Sequence, residues 1–167
     1  LDKNVEEIEK KHFVVATGVI VKDEKYLIAK RAGWEKAFPN RWTVPGGKLE
    51  PEDYLSREKD TKAGLWYNIV EDLVRREVME EVGLEIGQLD YLTSMTYIRP
   101  DGYPSIIISM FGNHSKGEVK LCNALVEYAW VSLEEAKKYD LIDGIYEELI
   151  MLDSLVKTGK KEAWARK

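Results

Sequence analysis

Val-Pro-Gly-Gly-Lys-Leu-Glu (residues 44–50) and Arg-Glu-Val-Met-Glu-Glu-Val-Gly-Leu (residues 76–84) bracket the stretch whose reading decides the fold. Pro45 fixes one backbone angle, and Gly46 and Gly47 tolerate conformations that a side chain forbids. The first segment therefore reads as a loop of unusual shape with its backbone open to approach. The second reads as the last turns of a helix, with Gly83 placed as the residue after its C-terminus.

On a helix, residues three and four apart share a face, so Glu77 meets both Glu80 and Glu81. At about 100° per residue, Val70, Leu73 and Val74 fall on the same line. The acidic stripe thus continues an apolar one and aims at the protein body or a cleft beside it. Two carboxylates about 5 Å apart repel by about 3 kcal/mol at an effective dielectric near 20. Arg76 neutralises part of that charge, and a hard divalent cation with oxygen ligands is the natural remainder. The plainer alternative is a solvated Glu/Arg helix stitched by pairs such as Arg76–Glu80. The glycines upstream and the inward stripe weigh against it.

Together the two segments resemble the Nudix box, G-x5-E-x7-R-E-U-x-E-E-x-G-U with U aliphatic. Arg76, Glu77, Val78, Glu80, Glu81, Gly83 and Leu84 match its second half, and Gly47 matches its first glycine. Six residues after Gly47 stands Asp53 where the pattern has Glu. Residues 54–75 number 22 where the pattern has seven, so about fifteen are inserted. The resemblance covers roughly residues 13–138. It implies an α/β fold, the Nudix-type α/β/α sandwich with a mixed β-sheet. It also implies Mg²⁺, with Mn²⁺ as a substitute, held by Glu77, Glu80, Glu81 and the Gly47 carbonyl. Arg76 would orient the glutamates, completing a catalytic set of Arg76, Glu77, Glu80 and Glu81. Substrate contacts fall to Arg31, Gly46, Gly47 and Lys48, and Glu50 is expected to tie the loop to the helix.

The implied reaction is attack of water on the diphosphate linkage of a nucleoside diphosphate joined to a group X. A compact chain suits a nucleoside or deoxynucleoside triphosphate pyrophosphohydrolase giving monophosphate and pyrophosphate. The alternatives are an ADP-ribose or nucleotide-sugar pyrophosphatase, and a non-catalytic Nudix-fold nucleotide-binding regulator. Regulators of that kind usually lose box glutamates, and all three stand here. Cys122, in Lys-Leu-Cys-Asn, does not resemble the catalytic cysteine context of the isomerases that share the fold.

Composition agrees with a single domain over 167 residues, enough to bury a core. The formal charge of −5 argues against a general nucleic-acid or membrane-surface binder, so the expected partner is a small nucleotide, with homodimerisation left open. One cysteine excludes an intramolecular disulfide framework and a cysteine-based zinc cluster. No apolar run reaches about 18 residues and the first residues are charged rather than signal-like, which reads as cytoplasmic.

Along the chain, residues 1–12 read as a leader. Strands are expected over 13–21 and 26–31, joined by a turn at Asp23-Glu24. The aromatic loop 34–42 follows, with Trp34, Phe38 and Trp42 as packing or base-stacking groups. Residues 54–67 are a polar surface insertion, with the helix starting from about Leu65. Strands are expected over 91–98, 105–111 and 124–131, with a hairpin turn at Asp101-Gly102 and a polar loop over 113–117. Ser132 with Glu135 forms a capping box. Residues 141–156 are helical, and 157–167 form a loose basic tail. Glu127, His12 and His114 are read as ordinary surface or structural residues.

Overall fold

The computed structural model describes residues 11–164, so the leader expected over 1–12 lies, up to residue 10, outside the described residues. Strands β1 (Phe13–Lys22) and β2 (Lys25–Arg31) form the expected hairpin. Asp23 and Glu24 both take positive φ, 50° and 56°, the pair that a tight two-residue hairpin turn demands. β3 (Trp42–Thr43) adds to β2, and β4 (Gly46–Lys48) pairs with the start of β1. After helices α1 (Glu52–Leu55) and α2 (Ile69–Val82) come β5 (Glu85–Ile86), β6 (Asp90–Ile98) and β7 (Pro104–Lys116). β6 and β7 form a hairpin around Asp101-Gly102, and β7 runs parallel to β1. β8 (Leu125–Val131) returns antiparallel to β2, followed by α3 (Leu133–Ala136) and α4 (Ile145–Thr158). Among the described residues the sheet has eight strands and is mixed.

Strand alternation puts opposite residues of β1 and β2 into two cores. Val19, Val21, Tyr26 and Ile28 pack with Ile145, Leu149 and Leu152 of α4. Ala16, Ile20, Leu27 and Ala29 pack with Leu73, Val74, Val78 and Val82 of α2. The chain is therefore an α/β/α sandwich, with α2 on one face and α4 on the other. Ser132 and Glu135 form the capping box at α3. No helix among the described residues is long and apolar enough to cross a membrane.

Several boundaries differ from the sequence reading, each for a physical reason. Gly46 and Gly47 lie in a strand, not in a loop, paired with Thr17 and Ala16, and neither has positive φ. Helix α2 begins at Ile69, after Asn68 in the left-handed region, rather than near Leu65. Residues 57–67 are instead folded back on themselves. Arg57 pairs with Asp60 at 2.9 Å and donates to the Tyr67 carbonyl, while the Tyr67 N–H donates to Asp60 Oδ2 at 2.8 Å. The Trp66 indole donates to the Arg57 carbonyl and packs on Tyr54. Residues 113–116 extend β7, because β5 supplies their partners. Helix α4 starts four residues later than expected, since the 140–142 backbone bonds to Trp42 of β3. The expected tail begins inside α4, which runs to Thr158, and Lys161 donates to the Leu92 carbonyl at 2.6 Å.

One buried polar group breaks the apolar face of α4. Glu148 is 4% exposed and accepts the hydroxyl proton of Ser109 on β7. Burial pushes its carboxyl up to about 7, with Glu147 adding to the effect and the Ser109 bond opposing it. The folded protein then holds that proton more tightly than the unfolded chain does. The stabilisation is complete below about 4.5 and is lost as pH rises through about 7. Glu148→Gln should flatten the pH dependence of the melting temperature between pH 5 and 8. At pH 8 it should raise stability by up to about 3 kcal/mol.

Candidate active site

The site forms where α2 crosses the glycine strand. Glu77 and Glu81, one turn apart, both face β4. The Gly46 N–H donates to Glu81 Oε2 at 3.0 Å. A methyl group on Gly47 would lie 2.1 Å from Glu77 Oε1, so the absent side chain is what lets the carboxylate rest on the backbone. A methyl on Gly46 would lie 2.5 Å from the Ala16 carbonyl oxygen. The glycines thus serve close approach and not an unusual backbone angle.

Arg76 sits at the centre of a three-carboxylate fork. It reaches Asp53 Oδ1 and Glu77 Oε1 at 3.0 Å each and Glu80 Oε2 at 2.9 Å. Asp53 is clasped from the other side by the Glu50 N–H, which donates to its Oδ2 at 2.8 Å. The ion pair from the 44–53 segment to the helix therefore runs through Asp53, whereas Glu50, whose side chain is exposed, contributes its backbone. Helix α1 brings the shorter acid within reach. Asp53→Ala should lower kcat/KM by about tenfold, through looser placement of Glu77 and Glu80 by Arg76. Steady-state kinetics with thermal melts alongside would check it.

Burial raises the Glu77 carboxyl, against the pull of Arg76. It pushes Glu81 up to about 7, with Glu77 and Glu80 adding to the effect and the Gly46 N–H and Arg31 opposing it. Arg31 thus belongs to the site's electrostatics. It is anchored by Glu35 at 2.9 Å and by the Ala37 carbonyl at 2.7 Å, an anchorage the sequence reading did not anticipate. The signal was present in the i,i+4 spacing of Arg31 and Glu35. Lys48, also on β4, lies apart from the glutamates, with its ammonium 4.9 Å from the Phe13 ring centroid.

Among the described residues no three carboxylate, imidazole or thiol groups converge closely enough to hold an ion. On the Glu80 side, Arg76 pairs with that exposed carboxylate at 2.9 Å and so occupies it. Glu77 and Glu81 remain as two desolvated carboxylates against a strand backbone. Burial, more than the neighbouring glutamates, raises the Glu81 carboxyl, and the donors of both side chains are all oxygen. That donor set fits a hard divalent cation.

Glu127, His114 and Trp42 have structural partners. Glu127 pairs with Lys30 at 2.7 Å on the surface. His114 Nε2 lies 3.0 Å from the Gly117 carbonyl, and its ring lies edge-on to Trp130. Trp42 packs on Tyr139 beside the α4 core, whereas Trp34 is 72% exposed.

Three comparisons bear on this geometry. The family model described as NUDIX domain matches residues 12–151. The nucleoside triphosphatase NudI of Escherichia coli strain K12 is 30% identical over 134 residues, covering 74% of this chain and 84% of that protein. In fold, the chain is similar to the MutT protein from Methanosarcina mazei Go1, with a TM-score of 0.67 and 24% identity over 90% of this chain and 99% of that one. It is also similar to the MutT NUDIX hydrolase from Burkholderia pseudomallei, with a TM-score of 0.67 and 21% identity over 84% of this chain and 98% of that one.

Proposed function

The chain belongs to the NUDIX domain family, and from that premise we propose that it hydrolyses nucleoside triphosphates, with Mg²⁺, to the monophosphate and pyrophosphate. Family membership makes it a hydrolase of nucleoside diphosphate derivatives; the triphosphate is the further step. The observation that carries the reading is the convergence of Glu77 and Glu81 on the Gly46–Gly47 backbone beneath the Arg76 fork. The likeness to the nucleoside triphosphatase NudI supports the choice of substrate.

Glu77, Glu81 and the Gly47 carbonyl, with Glu80, would hold the ion. When bound it neutralises phosphate charge and lowers the pKa of an attacking water. The remaining work falls to the chain itself. Arg76 orients Glu77 and Glu80 by charged hydrogen bonds. The Gly46 N–H donates to one oxygen of Glu81 and so fixes that carboxyl against β4. Arg31, braced by Glu35, supplies positive charge opposite Glu81 for the incoming phosphates.

The test is a hydrolysis panel with Mg²⁺, repeated with Mn²⁺ and with chelator, over nucleoside triphosphates, ADP-ribose and nucleotide sugars. Chelator-sensitive release of pyrophosphate from triphosphates is the expected result. Turnover of ADP-ribose or a nucleotide sugar alone would replace the substrate assignment. Tight nucleotide binding without turnover would make the protein a binding module.

A further inference from the structure

The contacts along α2 put its glutamates and the segment between α1 and α2 in one line. The charge of Arg31 bears on Glu81, Gly47 lies against Glu77, and Asp53 meets Arg76. Next in order, Arg57 of the segment lies 3.7 Å from Asp72. At 1.5 Å per residue, Glu77 and Asp72 are about 7–8 Å apart along the helix axis. Arg76 links the two ends directly, because one of its nitrogens is 3.0 Å from both Asp53 and Glu77. The end of the site farthest from Arg31 is therefore bounded by α1 and residues 57–67.

That end presents apolar side chains and little available positive charge. The Trp66 ring packs on Tyr54, the residue after Asp53, at a centroid distance of 5.3 Å. Leu65 and Tyr67, on either side of Trp66, are 51% and 58% exposed, and Leu55 is 62% exposed. The segment that carries them is pinned through Arg57, Asp60 and the Trp66 indole, so these side chains stand on a fixed support. The guanidinium groups nearby are engaged, Arg76 by three carboxylates and Arg57 by Asp60 and Asp72. Lys59 lies over the Trp66 ring, and Lys62 stands out at the tip. A bare terminal phosphate meets little to pair with here, whereas an apolar group meets a wall.

We propose that Leu55, Leu65 and Tyr67 receive an apolar group esterified to the substrate's terminal phosphate, so that the preferred substrate is a nucleoside polyphosphate capped in this way. This rests on the nucleotide-hydrolase reading above and extends it to the far end of the substrate. All three residues lie in the stretch by which this chain exceeds the box pattern. The bond broken is still a phosphoanhydride. Water gives its oxygen to one phosphorus, the departing phosphate takes the electron pair and a proton, and the cap stays on its own phosphate. The cap removes one negative charge from the terminal phosphate and covers apolar surface that water otherwise wets.

The experiment measures kcat/KM, on the full chain with Mg²⁺, for ATP esterified at its γ-phosphate with a phenyl group and with a methyl group. The two esters carry the same charge and differ chiefly in apolar area. The wild type should favour the phenyl ester by about tenfold, with the difference carried mainly by KM. Leu65→Ser combined with Tyr67→Ser should bring the ratio to within about twofold of one, and Leu55→Ser should lower it by a smaller factor. A wild-type ratio near one, or a ratio that these substitutions leave unchanged, would overturn the proposal. If neither ester is hydrolysed, the substrate reading fails, and calorimetric binding of the same two esters still decides the role of the wall. The three side chains are exposed, so the variants should fold, and thermal melts check that they do.

Discussion

Glu81→Gln should lower kcat/KM by about 10²–10⁴-fold while the protein keeps its fold. Glutamine is nearly the same shape and can still accept the Gly46 N–H through its own oxygen, so the contact between α2 and β4 survives. What disappears is the charge. The metal-free carboxyl titrates near 7, because burial outweighs the help of Gly46 and Arg31. Protons and a divalent cation then compete for the same oxygen. Mg²⁺ affinity should rise with pH through about 7 in the wild type, since the ion displaces a proton below that pH and not above it. Glu81→Gln should lose both the affinity and that pH dependence. Calorimetric Mg²⁺ titrations at pH 6 and 8, in buffers of different ionisation enthalpy, would read both. A variant that retains wild-type turnover would remove Glu81 from the ion-holding set.

Gly47→Ala should cost about 10²-fold in kcat/KM and change stability by no more than about 1 kcal/mol. The new methyl would lie 2.1 Å from Glu77 Oε1 and 2.3 Å from its Cδ, so it must evict the carboxylate. That carboxylate ends a flexible side chain and can swing away without moving the backbone. Gly46→Ala is the informative contrast. Its methyl meets the Ala16 carbonyl oxygen at 2.5 Å and Thr17 Cα at 2.9 Å, both in the adjoining strand. Here the backbone must yield, and the expected loss is about 1–3 kcal/mol of stability. Two neighbouring glycines thus separate placement of the Glu77 carboxylate from integrity of the sheet. Melting curves and kinetics on both variants would check the separation, and equal effects on stability would contradict it.

The strands of the first hairpin, the turn at Asp101-Gly102 and the Ser132 capping box were legible because each depends on neighbours in sequence. The glutamates of α2 were legible for a related reason, since helical spacing alone places them on one face. The strand identity of Gly46 and Gly47 was not, because it is imposed by the edge of β1, about thirty residues earlier in the chain. The late starts of α2 and α4 have the same origin. Their expected first turns give backbone or side-chain groups to Arg57, Asp60 and Trp42, which no local pattern announces. Glu148 escaped notice beside Glu147, a pair that looks like the solvated side of a helix. Yet Ile145, Glu148, Leu149 and Leu152 follow the i, i+3, i+4, i+7 spacing of a buried stripe, and that spacing could have found it.

The segment between α1 and α2 has a consequence of another sort. Arg57, Asp60, Trp66 and Tyr67 fasten it near its base, while Lys62 and Ala63 at its tip stand in solvent. Chain added or removed at that tip changes loop entropy only slowly with length and leaves the Arg76–Asp53 pair untouched. The fold therefore carries an expansion joint next to its most constrained carboxylates. Descendants of this sequence can lengthen, shorten or re-letter that tip, and acquire a new recognition surface there, without renegotiating the chemistry a few residues away.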